Sequence, residues 1–95
     1  MTGQELFDKY MDDIKNFLEN TPDDIYEFSI DMEDRLVFEY DAMREAQPEA
    51  IDILEEEVPD ICATGEPGMS PQEIEEFKQK LRVEYEKALR AVRGK

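Results

Sequence analysis

Histidine and tryptophan are absent from this chain, and cysteine occurs once. Without histidine the usual general base and the commonest metal ligand are missing. The Glu-x-x-His pairs of di-iron helical bundles cannot be built either. A lone Cys62 rules out an internal disulfide and points to a reducing compartment. With no histidine to activate it, Cys62 is expected to be a small buried apolar residue, not a nucleophile. There is no Gly-rich phosphate loop, no Ser/His/Asp set, no Cys/His zinc spacing and no EF-hand loop. No basic-then-apolar start and no bilayer-length apolar run occur, so a soluble, cytoplasmic protein with no membrane and no cofactor is expected. Strand-like alternation between turn signals is lacking, as are internal repeats and low-complexity linkers.

Positive charge is also scarce. The chain holds 26 acidic residues against 11 basic ones, for a formal net charge of −15. Residues 1–70 carry 21 acids and 4 bases, whereas residues 71–95 carry 5 acids and 7 bases. The acidic field therefore belongs to the first three quarters of the chain. Such a field argues against direct binding of nucleic acid or anionic membranes and calls for a basic protein partner. It also opposes self-association, so a monomer or weak dimer is expected. The 40% hydrophobic content of 95 residues suffices for one modest core in a single domain.

What is plentiful is helical periodicity. The spacing predicts an all-α, single-domain four-helix bundle, mostly antiparallel, with helices over 3–20, 22–46, 48–58 and 70–92. Thr2-Gly3-Gln4-Glu5 and Ser70-Pro71-Gln72-Glu73 read as capping boxes. In the first helix Leu6, Tyr10, Ile14 and Phe17 form the inward stripe, with Phe7, Met11 and Leu18 beside it. In the last, Ile74, Phe77, Leu81, Tyr85, Ala88 and Val92 do so, with Leu89 alongside, and Lys87, Arg90 and Arg93 lie toward its C-terminal end. The third helix opens on Pro48, turns Ala50, Ile51, Leu54 and Val58 inward, and stops before Pro59. That stop would put Glu55-Glu56-Glu57 near the unfavourable negative end of the dipole, either as a solvated run or as a patch for a basic partner.

The helix over 22–46 organises the rest. Thr21 is its expected cap, Pro22 its first position, and Asp23 and Asp24 complement its dipole. Ile25, Phe28, Met32, Leu36, Tyr40 and Met43 make its main stripe. Tyr26, Ile30 and Val37 make a second strip beside it. So wide an apolar sector predicts a central helix with neighbours on several sides. Its wet sector is Glu27, Asp31, Asp34, Asp41 and Glu45. Phe38 falls inside that sector, explained either by a helix bend or by a neighbour that covers it, or else serving as a binding anchor ringed by carboxylates. Glu39 falls inside the main stripe, where it needs a cation such as Arg82 or Lys78. The expected partner-binding residues are Glu27, Asp31, Asp34, Phe38, Asp41 and Glu45.

The order of an acidic helical pair with Glu27-Phe28-Ser29 opening the second helix, a Pro59-Asp60 loop, and a last helix carrying Glu73, Phe77, Leu81 and Tyr85 resembles bacteriocin and contact-dependent-toxin immunity proteins, especially the colicin D-like group. The likeness covers about residues 6–90 in pattern and spacing. It implies a four-helix bundle that binds and inhibits a cognate nuclease toxin through an acidic surface, with no catalysis of its own. Two other readings fit the composition: a phage-borne nucleic-acid mimic of the anti-restriction or anti-CRISPR kind, and an acidic adaptor subunit. An enzymatic reading rests on Asp31/Asp34 and Glu73/Glu76, whose spacing resembles the magnesium-holding pairs of all-α nucleotide pyrophosphatases. In so acidic a chain such pairs arise by chance, and these lie away from the apolar stripes.

Overall fold

The computed structural model describes residues 2–22 and 24–92, and the regular structure among them is helical throughout. Five helices follow one another: α1 Gly3–Glu19, α2 Tyr26–Phe38, α3 Tyr40–Ala46, α4 Pro48–Cys62 and α5 Pro71–Ala91. The all-α class is as expected, but there are five helices and not four, because the segment 22–46 is divided.

Both capping boxes form. The Thr2 hydroxyl accepts from the Glu5 amide, and the Glu5 carboxylate accepts from the Thr2 amide at 2.9 Å. Ser70 and Glu73 repeat the arrangement at the start of α5. In each case two helix-start amides that lack intrahelical acceptors are satisfied locally.

The start of α2 departs from expectation. The Thr21 hydroxyl donates back to the Phe17 carbonyl at 2.8 Å, so it closes α1 and does not cap α2. Pro22 is exposed and precedes the helix, while Asp23 lies outside the described residues. The Asp24 carboxylate accepts from the Tyr26 amide at 2.9 Å, a local side-chain turn that competes with helix. Helical bonding begins only at the Ile25 carbonyl, and Ile25 itself is fully buried. Burial of Ile25 thus delays the helix by one turn relative to its start signals.

At Glu39 the chain bends. Its backbone (φ −115°, ψ 2°) leaves the helical basin, yet its amide still bonds the Arg35 carbonyl and its carbonyl still accepts from Met43. The bend redirects α3 onto α1. There Gly3 meets the backbone of Ala42 so closely that a Cβ on Gly3 would overlap the Ala42 carbonyl oxygen. Glycine at the α1 start is what permits this approach.

α4 runs one turn past its expected stop. Pro59 lies inside it, and Ile61 and Cys62 complete a buried last turn. Proline removes an amide but does not forbid continuation where tertiary burial supports the next turn. Glu55, Glu56 and Glu57 consequently sit mid-helix and exposed, away from the negative dipole end. Beyond α4, Gly65 packs against Ser29, whose small buried side chain leaves no room for a Cβ there.

The core joins all five helices. α4 packs most extensively on α5, α1 lies on α3, and α2 and α3 both pack on α4. Phe17 stacks on Phe28 at 3.8 Å between centroids, and Phe77 closes edge-on, so one aromatic triad joins α1, α2 and α5. The inward stripes of α1 and α5 match their periodicity, with Leu6, Ile74, Tyr85 and Val92 half-buried at the margins. Leu89 is exposed, and Glu84 is buried beside Lys87 at 3.4 Å. Arg93 lies outside the described residues.

Candidate partner-binding face of α2

The main stripe of α2 and α3 behaves as its spacing demands: Ile25, Met32, Leu36 and Met43 are buried, and Phe28 and Tyr40 are partly so. The second strip does not. Tyr26 and Ile30 are each 41% exposed and Val37 is 73% exposed. The expectation of neighbours on several sides is therefore wrong for this strip: the buried residues of α2, Ser29, Met32 and Leu36, lie on its other side, and its main packing is on α4. Phe38 is 81% exposed, so no neighbour covers it, and it is the last residue of α2 before the bend at Glu39, as the helix-bend alternative has it.

Glu27, Asp31 and Asp34 are exposed and line one shallow depression together with Tyr26 and Ile30. Phe38 follows one turn beyond Asp34 on the same helix. Asp41 and Glu45 are exposed but belong to α3, beyond the bend, so the six expected residues do not form one straight row. Glu45 instead lines a separate depression with Gly3, Ala42 and Ala46.

Beneath this face lies a residue that periodicity did not single out. The Arg35 side chain is only 12% exposed. Its Nη1 donates to Asp13 Oδ2 at 2.6 Å and to Asp31 Oδ2 at 3.3 Å. Its guanidinium lies 4.9 Å from the centre of the Tyr10 ring, within cation–π range. Glu39 finds its cation here, with Oε1 3.6 Å from Arg35 Nε, and not in Arg82 or Lys78. Burial pushes the Asp13 carboxyl upward, but hydrogen bonds from Lys9 and Arg35 outweigh it and hold Asp13 below the usual carboxylate range. Burial works against the Arg35 charge, but hydrogen bonds to Asp13 and Asp31 outweigh it and hold Arg35 above its usual value. Arg35 thus ties α1 to α2 across Asp13 and joins the side chain at the bend to both. The lone arginine amid carboxylates was the available signal, but sequence spacing cannot show which acids converge on it.

The paired acids of the enzymatic reading have other local uses. Asp31 pairs with Arg35, and Glu73 serves the cap of α5. Among the described residues, no helix is long and apolar enough to cross a membrane. Comparison of the chain with protein-family models, with curated proteins and with solved structures gives no match.

Proposed function

We propose that this protein is a cytoplasmic immunity protein that binds and inhibits a cognate basic toxin, a nuclease domain, through the outward face of α2. The observation that carries this reading is Phe38: a large aromatic side chain 81% exposed, one turn from Asp34, on a chain of net charge −15. A nuclease must offer a cationic groove to phosphates, and an acidic helix face complements it. Charge complementarity speeds encounter and disfavours wrong partners, while a desolvated aromatic anchor lengthens residence.

The test is kinetic and uses a basic nuclease-toxin domain as the partner. Glu27 and Asp34 are the acids to reverse, since neither forms an ion pair among the described residues, whereas Asp31 holds Arg35. Changing both to lysine is expected to slow association and flatten its salt dependence. Phe38→Ala is expected to speed dissociation, at about 2 kcal/mol or more. Its effect on folding stability should stay within about 0.5 kcal/mol, because the ring is exposed. Full nuclease activity in the presence of equimolar protein would remove the inhibitory role altogether.

A further inference from the structure

The strip formed by Tyr26, Ile30 and Val37 is unaccounted for by an acidic surface with one aromatic anchor. Single exposed apolar residues need no explanation, but these share one face of a thirteen-residue helix with Phe38. Tyr26, Ile30, Asp34 and Phe38 recur every four residues, and Val37 lies beside that row. The row is a ridge about 18 Å long, of the kind that seats in the groove between side-chain rows of another helix. By helical spacing Glu33 borders it on one flank and Glu27 on the other, with Asp34 set into the ridge itself.

Charge decides between possible occupants. A second copy packed symmetrically on this face would bring the same acids against each other, because a two-fold interface pairs a patch with itself. A cationic segment meets no such opposition. The depression beside the ridge has the matching chemistry: Tyr26 and Ile30 offer apolar wall, and Glu27, Asp31 and Asp34 ring it. An arginine or lysine side chain suits it, with its methylene stem against the wall and its charged head among the carboxylates.

We infer that this face of α2 receives an amphipathic, cationic helix of the partner, its aliphatic side seated on Tyr26, Ile30, Val37 and Phe38 and its flanking Arg or Lys side chains reaching Glu27, Glu33 and Asp34. The inference rests on the toxin-binding reading for the partner's identity, but the surface can be probed without the toxin. The probe is a synthetic fourteen-residue helix, leucine on one face and arginine on its flanks, titrated into the isotope-labelled protein and followed by backbone amide shifts. The largest shifts are expected between Tyr26 and Phe38. The variant carrying Ile30→Ser and Val37→Ser, checked for an unchanged thermal transition, should bind about tenfold more weakly or worse. A scrambled peptide of identical composition should bind far less. Equal binding of the scrambled peptide would mean that charge alone acts and would overturn the inference, as would shifts centred on another helix. Sedimentation showing a neutral-pH dimer that the Ser variant abolishes would also overturn it, by assigning the strip to a second copy. Failure of the two readings is separable. Toxin inhibition retained in full by the Ser variant defeats the helix-docking surface alone. Peptide binding at α2 without any toxin inhibition defeats the immunity reading alone.

Discussion

At the residue scale, two side chains show how environment outweighs identity. Phe38 is among the most hydrophobic residues of the chain and is exposed, while the Arg35 side chain is largely covered and held by Asp13, Asp31 and Glu39. Cys62 makes the same point chemically. Burial at the end of α4, with a smaller contribution from the charge of Glu33, pushes its thiol up to about 12. A thiol-specific reagent at pH 8 should therefore leave Cys62 unmodified in the native protein and label it once unfolded. The shift also has a linkage sign. The native pKa is raised, so the stabilisation is complete below the unfolded value of about 8.5 and is lost as pH rises toward the native one. Stability measured by urea unfolding should fall between about pH 8.5 and 10, before tyrosines begin to ionise in the unfolded chain. Cys62→Ala should lower the whole curve, through its cavity, but flatten this slope.

At the element scale, two of the departures from helical expectation override local signals of opposite kind, a start and a stop, and burial is the cause of both. Start signals at Thr21 and Pro22 do not open α2, because Thr21 bonds backward and buried Ile25 sets the entry. A stop signal at Pro59 does not end α4, because Ile61 and Cys62 gain burial by continuing. Interior proline costs a helix about 3 kcal/mol relative to alanine where nothing compensates. Pro59→Ala restores an amide able to bond the Glu55 carbonyl and is expected to raise stability by about 1–3 kcal/mol. A urea midpoint unchanged or lowered by this substitution would show that the proline ring itself is needed in the packing.

At the scale of the whole molecule, charge and shape act together. The radius of gyration of 12.8 Å is close to the roughly 12 Å expected of a packed chain of this length. A net charge of −15 on so small a body opposes self-association at neutral pH. As pH falls toward the sequence isoelectric point near 4.2, carboxylates protonate and that repulsion fades. Sedimentation at moderate salt should find a monomer or weak dimer at pH 7 and larger species near pH 4–5. The exposed strip of α2 is the natural first contact under those conditions. Ile30→Ser with Val37→Ser should accordingly delay the association.

Sequence alone determined the all-helical class, both capping boxes, the inward stripes of α1 and α5, the main stripe of α2 and α3, and the acidic character of most of the chain. These are legible because capping chemistry is local and a buried stripe repeats with the helix itself. The acids of the candidate face were legible too, since Glu27, Asp31 and Asp34 share one sector by spacing. Tertiary structure alone decided that Tyr26, Ile30 and Val37 remain uncovered, that Glu39 turns the chain and pairs with Arg35, and that α4 passes through Pro59. Periodicity reports that an apolar face exists but not whether another element lies against it. That depends on where the other helices pack, and here α2 packs chiefly on α4 and leaves this strip to solvent.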